Sequence, residues 1–135
     1  MDLYSSTILL IYKLLGCVEV EDVAELSAVT FLFSADAEIT LEANPDDITA
    51  DKLKQWRHAG INRLSVGIQS FGDEELLWMN RAHNAADSLQ CIDEINTAGF
   101  TNYSVDLIYG SPLLTNEAWK KNTAIVFEKN VPHIS

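Results

Sequence analysis

The feature that most constrains the fold of this chain is the alternation of short strand patterns with helix patterns after residue 37. Three segments have the composition of β-strands, namely Glu38–Asn44, Arg63–Gln69 and Ser104–Gly110. Segments in which apolar residues recur at helical spacing follow each of them. Strands that alternate with helices form βαβ units, whose strands run parallel in one sheet. The sequence therefore predicts an α/β fold built on a parallel sheet.

Capping residues predict where the helices begin and end. Thr49, Asn84 and Thr115 each precede a helical pattern and can accept a hydrogen bond from its first turn. Gly60 and Gly99 follow helical patterns, at the position where a left-handed residue commonly ends a helix. The predicted inner faces are Leu53, Trp56 and Ala59 in the first helix, Leu89, Ile92 and Ile95 in the second, and Trp119, Thr123, Val126 and Phe127 in the third.

Three further segments complete the predicted element order. Asp73 can cap a short helix that runs through Met79, and another strand begins near His133. Residues 1–36 are less regular, because Thr7–Leu15 fits a strand or a helix and Glu19–Phe33 has helical spacing. Since no linker or low-complexity stretch is visible, we expect residues 1–135 to form a single domain.

Composition limits the cellular compartments and the classes of partner expected for the chain. Its formal net charge of -11 repels phosphate backbones, so we expect no nucleic-acid partner. Cys17 and Cys91 are the two cysteines, and they form neither a metal-ligand pair nor a disulfide framework. Reduced thiols of this kind indicate a cytoplasmic protein. The apolar segment Leu3–Leu15 is shorter than the roughly 20 residues of a membrane-spanning helix, and no basic residue leads into it as in a signal peptide.

Polar residues near the carboxyl ends of the predicted strands are the candidates for a site. Ligands of parallel α/β folds bind beyond this edge of the sheet. Glu42 and Gln69 end two strands, Asp106 lies within the third, and Arg81 follows the short helix. Each residue also has a structural interpretation. Glu42 fits an exposed strand-end carboxylate, Gln69 can satisfy loop backbone groups, and Asp106 among apolar neighbours can form an ion pair with Arg81.

Several motifs resemble those of the oxygen-independent coproporphyrinogen III oxidases and the related haem-chaperone-like proteins. They are Glu38-Ile-Thr-Leu-Glu-Ala-Asn-Pro45, Ala59-Gly-Ile-Asn-Arg-Leu-Ser-Val-Gly-Ile-Gln-Ser-Phe71, Arg81-Ala-His-Asn84, Val105-Asp-Leu-Ile-Tyr-Gly110 and Pro132-His-Ile-Ser135. The resemblance covers residues 37–135 and leaves residues 1–36 divergent. It is nearer to the chaperone-like branch.

The resemblance implies a radical-SAM partial (β/α) barrel and a role in porphyrin and haem biosynthesis. In such enzymes a [4Fe-4S] cluster, held by a CxxxCxxC motif, reduces S-adenosylmethionine, and the resulting radical oxidatively decarboxylates coproporphyrinogen III. By resemblance, Glu42, Gln69, Arg81 and Asp106 fall on positions that contact S-adenosylmethionine. Arg81 would pair with the methionine carboxylate, and the carboxylates would bind the ammonium or the ribose hydroxyls.

The chain also departs from this family. No CxxxCxxC motif is present, and Ser5–Tyr12 stands where the family has a Gly-Gly-Gly-Thr-Pro loop. A full barrel has about 250 residues, so we expect a fragment that is inactive alone and binds neither S-adenosylmethionine nor a [4Fe-4S] cluster well. Its uncovered strand edges predict self-association. The alternative is a non-catalytic haem-binding or haem-chaperone protein, or a degenerate remnant.

A candidate haem ligand follows Arg81. The segment His83–Asp87 resembles the HNxx motif linked to haem binding in the chaperone-like branch, which would make His83 a haem-binding residue. The last position is commonly aromatic in that motif, whereas this chain has Asp87. A helix cap by Asn84, with Asp87 near the positive end of the helix, explains the same residues, and we favour it.

Overall fold

A computed structural model describes residues 8–9 and 38–135 of the chain. Its sheet has five strands, which are β1 (Ile8–Leu9), β2 (Ile39–Ala43), β3 (Arg63–Gln69), β4 (Tyr103–Leu107) and β5 (His133–Ile134). They follow one another in the sheet in chain order, and every neighbouring pair is parallel. The predicted parallel α/β fold is therefore confirmed, and so is the strand expected at His133. The other predictions for residues 1–36 lie outside the described residues.

Among the described residues, four α-helices connect or follow the strands, and their caps explain their bounds. They are α1 (Ala50–His58), α2 (Asp73–Trp78), α3 (Ala85–Thr97) and α4 (Asn116–Glu128), and a short 3₁₀ helix (Pro45–Asp47) precedes α1. Thr49, Asn84 and Thr115 cap α1, α3 and α4 by accepting a backbone hydrogen bond, as predicted. Within the described part of the chain, no helix has the length and apolarity needed to cross a membrane.

The start of α2 differs from the prediction. Gly72 is the capping residue, and Asp73 is the first residue of the helix. The Asp73 carboxylate instead accepts a hydrogen bond from the backbone N–H of Ala85, across 2.8 Å. The side chain therefore serves the first turn of α3, which lies 12 residues further along the chain, and it ties the starts of the two helices together.

The core lies between one face of the sheet and the helices. Its side chains are apolar and alternate along the strands, and the largest contributions come from Leu41, Leu64, Val66, Ile68, Tyr103 and Val105 in the sheet and from Leu53, Trp56, Ile92, Ile95 and Val126 in the helices. Each of these larger aliphatic side chains stabilises the fold by roughly 1.5–3 kcal/mol on burial. The core fixes the register, because a shift by one residue would turn each apolar side chain to the other face.

The inner face of α4 was predicted incorrectly at Phe127, whose residue is 74% exposed. Val126 is buried as expected, but the second buried residue of this helix is Asn122. Residues four apart share a helix face, so Asn122 and Val126 point to the sheet together and Phe127 turns outward. A polar side chain thus occupies a core position of α4.

The other face of the sheet is polar, and we call it the polar face. It carries Thr40, Glu42, Ser65, Ser104 and Asp106. Glu42 and Ser65 are register partners across β2 and β3, and Ser65 pairs in turn with Ser104 of β4. Because side chains alternate between the two faces of a strand, these residues point away from the apolar core. The fold thus places a row of hydrogen-bonding groups on the side of the sheet opposite the helices, where Glu42 is exposed and Thr40 and Ser104 are buried.

Candidate functional site

Gln69 ends β3 in an unusual backbone conformation. Its φ angle is 68°, in the left-handed region that non-glycine residues seldom occupy. Two hydrogen bonds surround this turn, because Ser70 N donates to Ile68 O across 2.8 Å and Ile108 N donates to Gln69 O across 2.9 Å. The turn brings the side chain back over β3. A Cβ atom placed on Gly67 would lie only 2.9 Å from Gln69 Nε2, so the glycine leaves the room that this amide occupies.

Arg81 reaches the same place from the segment after α2. Its Nη2 donates to Asn44 Oδ1 across 2.6 Å and to the carbonyl oxygen of Gly67 across 3.2 Å. Its Nε is buried and has no hydrogen-bond partner among the described residues. An arginine with a buried unsatisfied N–H can donate a hydrogen bond to an anionic or carbonyl partner. Asn44, Gln69 and Arg81 therefore form a polar cradle around Gly67.

Glu42 and Asp106 lie on the polar face, next to Ser65. The Ser65 hydroxyl donates to Asp106 Oδ2 across 3.1 Å, and the Ser104 hydroxyl donates to Ser65 Oγ across 3.3 Å. A carboxylate only accepts hydrogen bonds, so Asp106 sets the direction of this chain of hydroxyls. Glu42 is the register partner of Ser65 on the other side, and its residue is exposed. The two carboxylates thus lie on strands that flank Ser65.

The structure brings the four predicted site residues to two neighbouring positions on one side of the sheet. Gln69 and Arg81 meet at Gly67, while Glu42 and Asp106 lie on either side of Ser65, two residues earlier in β3. The Asp106–Arg81 ion pair, one of the interpretations of the sequence, is not found among the described residues, where Asp106 accepts from Ser65 and Arg81 donates to Asn44. Sequence reasoning left out Ser65 and Gly67. Their alternation with Leu64, Val66 and Ile68 was the signal that puts them on the face of Gln69.

His83 is buried rather than available on the surface. Its side chain has no exposed area, and Nε2 lies 3.1 Å from Ile68 O, to which it must donate because a carbonyl oxygen only accepts. Nδ1 has no hydrogen-bond partner among the described residues, and it lies 3.8 Å from Asp46 Oδ1. Burial lowers the pKa of His83 below its ordinary value. A haem iron could reach this ring only after the ring had left its place beside Ile68.

The segment after His83 forms a reciprocal helix cap. Asn84 Oδ1 accepts from the N–H of Asp87 across 3.0 Å, and Asp87 Oδ2 accepts from the N–H of Asn84 across 2.9 Å. Asn84 and Asp87 of the HNxx-like stretch therefore cap the start of α3 together, which is the arrangement of a capping box. The favoured structural explanation of Asn84 and Asp87 agrees with this geometry.

Cys91, the cysteine within the described residues, lies in the core. Its residue is 2% exposed, on α3, and burial raises the pKa of its thiol to about 12. Iron–sulfur clusters are held by thiolates, and this thiol is both protonated and turned away from the polar face. Among residues 38–135, no group of three histidine, cysteine or carboxylate side chains is placed to hold a metal ion.

Relatives of known identity agree with this architecture. The heme chaperone HemW of Haemophilus influenzae is 39% identical over 103 residues, which are 76% of this chain and 27% of that protein. The oxygen-independent coproporphyrinogen III oxidase of Escherichia coli is 34% identical over 117 residues, or 87% of this chain and 26% of that protein. The solved structure of the Escherichia coli coproporphyrinogen III oxidase HemN, a radical SAM enzyme, superposes with a TM-score of 0.75 at 31% identity, covering 87% of this chain and 28% of that one.

The match to the family extends over most of the chain. The sequence profile of the Radical SAM superfamily matches residues 9–122. The chain spans between 20% and 27% of the length of the first three curated relatives, all haem chaperones. The parallel order of the strands, the helices on one face and the structural similarity to HemN agree with that profile. The chain therefore belongs to the radical SAM superfamily, as a relative of the coproporphyrinogen III oxidases and the HemW haem chaperones.

Proposed function

We propose that this chain provides part of an S-adenosylmethionine-binding surface in a radical SAM protein of porphyrin or haem metabolism. The observation that carries the proposal is the cradle around Gly67, where Asn44, Gln69 and Arg81 meet and a Cβ atom would fill the space. Arg81 Nε, buried without a hydrogen-bond partner among the described residues, adds a donor that a ligand can satisfy. These groups fit a zwitterionic amino-acid ligand.

Each proposed contact follows from the chemistry of the side chain. The Arg81 guanidinium would pair with the methionine carboxylate, since its planar fork suits carboxylates. Gln69 offers both a donor and an acceptor. Glu42 and Asp106 would accept hydrogen bonds from the ammonium group or the ribose hydroxyls. When bound, S-adenosylmethionine supplies the radical chemistry of the superfamily, and the residues of this chain bind and orient it.

The residues of this chain do not fit a [4Fe-4S] cluster. The sequence contains Cys17 and Cys91 and no CxxxCxxC motif, whereas the family pattern needs three thiolates. Cys91 is also held in the core with a pKa of about 12. We therefore propose that the chain alone is inactive and binds S-adenosylmethionine weakly, no tighter than about millimolar.

The parent activity that we propose is the oxidative decarboxylation of coproporphyrinogen III. It is supported by the coproporphyrinogen III oxidases of Escherichia coli and Salmonella typhimurium, which are 34% and 36% identical. The second candidate is a non-catalytic haem carrier, because relatives at 39%, 35% and 43% identity are haem chaperones. In either case we propose a single domain over residues 1–135, a porphyrin or haem partner and, from the reduced thiols, a cytoplasmic location.

An NMR titration of the chain with S-adenosylmethionine tests the proposed site. We expect the resonances of Gln69, Arg81 and Asp106 to shift with a dissociation constant of about 1 mM or weaker. Arg81→Gln should remove the response. Arg57→Gln is the matched control, because Arg57 lies at the opposite end of the strands, where it contacts Ala98 O and the Phe100 ring. Equal responses from both variants would contradict the proposal.

A haem-binding measurement distinguishes the two candidate functions. Because His83 is buried on Ile68 O, we expect haem added to the chain to show no axial ligation by this side chain. Visible spectra of the wild type and of His83→Gln should then be the same. A ligated-haem spectrum that His83→Gln abolishes would favour the haem-carrier function over the oxidase function.

A further inference from the structure

A buried polar cluster lies directly behind the turn that carries Gln69. We call it the Ser70 clamp, and it consists of Ser70, Glu75 and Asn122, which are 1%, 6% and 3% exposed. The three residues come from the segment after β3, from α2 and from the middle of α4. The clamp therefore joins two successive βα units. It is a polar cluster between the sheet and the helices, where most of the buried side chains are apolar.

The hydroxyl group of Ser70 is at the centre of the clamp and uses its full hydrogen-bonding capacity. It donates to Glu75 Oε2, and it accepts from Gly72 N across 3.0 Å and from Asn122 Nδ2 across 3.1 Å. Asn122 Oδ1 accepts in turn from Phe71 N across 3.3 Å. A hydroxyl has one proton and two lone pairs, so the Ser70 hydroxyl donates its one hydrogen bond and accepts two, which is all it can form.

The clamp is costly for a purely structural device. Glu75 Oε1 is buried and has no hydrogen-bond partner among the described residues. A partly satisfied buried network stabilises a fold less than apolar packing would. Asn122 likewise occupies a position that an apolar residue next to Val126 could fill. This cost indicates that the clamp contributes something other than stability.

The backbone around the clamp shows what it holds. Ser70 directly follows Gln69, whose left-handed conformation is unfavourable and persists only if its surroundings impose it. Glu75 fixes α2, and the next residue, Leu76, accepts the backbone hydrogen bond of Arg81 across 2.9 Å. One cluster therefore anchors the backbone of two of the three cradle residues, Gln69 and Arg81, while its own side-chain hydrogen bonds go to other residues.

We propose that Ser70, Glu75 and Asn122 are positioning residues that hold Gln69 and Arg81 in the geometry needed to bind S-adenosylmethionine. This inference rests on the proposed function. It assigns the β3–α2 turn and α4 a shared role, in which α4 supports a ligand contact made by the preceding βα unit. The clamp acts through the conformation of the Gln69 turn and makes no contact with the ligand.

The test is NMR of four variants, each compared with the wild type. Ser70→Ala leaves Gly72 N, Asn122 Nδ2 and Glu75 without their partner. Asn122→Ala removes the α4 contacts alone and serves if Ser70→Ala does not fold. Glu75→Gln keeps an acceptor for Ser70 and should behave as the wild type. Ser88→Ala is the matched control, since Ser88 is 0% exposed and its hydroxyl, within the described part of the chain, donates to the carbonyl of Asn84, the cap of its own helix.

Two measurements distinguish the clamp from the site it serves. In the ligand-free chain, backbone chemical shifts and the amide–Hα coupling of Gln69 report its φ angle. Ser70→Ala and Asn122→Ala should move Gln69 out of the left-handed region and weaken S-adenosylmethionine binding by about tenfold or more. Glu75→Gln and Ser88→Ala should change neither.

The possible results separate cleanly. If Ser70→Ala and Asn122→Ala both keep the wild-type Gln69 conformation, the clamp is overturned. It is also overturned if the Gln69 conformation changes while ligand binding stays within about twofold of the wild type. A wild-type chain with no response to S-adenosylmethionine would overturn the proposed function, and with it the ligand role of the clamp, whatever the Gln69 conformation.

Discussion

Arg81 and Asn44 join two segments that lie 37 residues apart, because Arg81 Nη2 donates to Asn44 Oδ1 across 2.6 Å. The bond connects the segment after α2 with the residue that follows β2, and it passes over the Gly67 carbonyl, which accepts from the same nitrogen. The guanidinium is therefore held in place before any ligand arrives.

This pair gives the first prediction. Asn44→Ala should lower the free energy of unfolding by about 1–2 kcal/mol, because it removes the acceptor of a hydrogen bond from the charged Arg81 guanidinium. Asn44→Asp keeps an acceptor and adds an opposite charge, so its stability should equal or exceed that of the wild type. Urea unfolding at pH 7 measures both. Equal losses in the two variants would show that the Arg81 contact is not the cause.

Gly67→Ala should affect the cradle far more than the fold. The new methyl group would lie 2.9 Å from Gln69 Nε2, the flexible end of a side chain, and 3.6 Å from both Arg81 Nη2 and Asn44 Oδ1. We expect the free energy of unfolding to change by less than about 1 kcal/mol. The response of Gln69 to S-adenosylmethionine should disappear. A variant that binds as the wild type does would contradict the assignment of the cradle.

His83 should make the chain less stable in mild acid. Burial lowers the pKa of His83 in the folded chain below its ordinary value of 6.5. The unfolded chain therefore takes up this proton first as pH falls below about 6.5, and the free energy of unfolding decreases until pH drops below the folded pKa. The contribution cannot exceed about 1.4 kcal/mol per pH unit.

The measurement for His83 is urea unfolding between pH 5 and pH 8. His83→Gln keeps a donor for Ile68 O but cannot titrate, so its stability should fall less than that of the wild type between pH 7 and pH 5. His58→Gln, at an exposed position of α1, is the control and should follow the wild type. Parallel curves for His83→Gln and the wild type would refute the prediction.

Anaerobic reconstitution with iron and sulfide should yield no stable, stoichiometric [4Fe-4S] cluster. The thiol of Cys91 is 2% exposed as a residue and has a pKa raised to about 12, and only one other cysteine is present in the sequence. Visible absorbance and iron content measure the outcome, and Cys91→Ala should give the same values as the wild type. A stable cluster at one equivalent per chain would contradict the account of this thiol.

The strand at the sheet edge predicts self-association. Ser135 N donates to Val105 O and Leu107 N donates to Ser135 O, so β5 is bonded to β4 on one side, while Ile134 is 43% exposed. Light scattering should detect a dimer or larger species, and Ile134→Lys should reduce it, since a charge on an edge strand opposes pairing. Phe127→Lys, on the exposed side of α4, is the control. A monomer at high concentration would argue against edge pairing.

The sequence predicted those parts of the fold that depend on neighbouring residues. Thr49, Asn84 and Thr115 cap their helices as expected, because a cap bonds to a backbone N–H within its own first turn. Phe127 was assigned to the wrong side, because the orientation of α4 is set by its contacts with the sheet and not by the helix alone. Asn122 therefore became a buried residue without any local indication.

The candidate site shows the same division. The strand pattern predicted Gln69 and Asp106 near one edge of the sheet, since the carboxyl ends of parallel strands lie at the same edge. Arg81 bonds to Asn44, which is 37 residues away in the chain, and Asn122 bonds to Ser70, which is 52 residues away. Such pairs depend on how whole elements pack, so no local pattern in a single sequence announces them.

The strands lie in the sheet in the order in which they occur in the chain, and this order affects how the protein folds during its synthesis. Among the described strands, each newly synthesised strand pairs with the one completed just before it and can do so before the later strands are made. Paired residues of neighbouring strands, such as Thr40 with Arg63 and Leu64 with Tyr103, are separated by one βα unit, and the entropy of closing a loop grows only slowly with its length. On the ribosome, where the N-terminal part emerges first, β3 can dock on β2 while β4 is still being translated. We therefore expect the fold to grow one βα unit at a time as the chain leaves the ribosome.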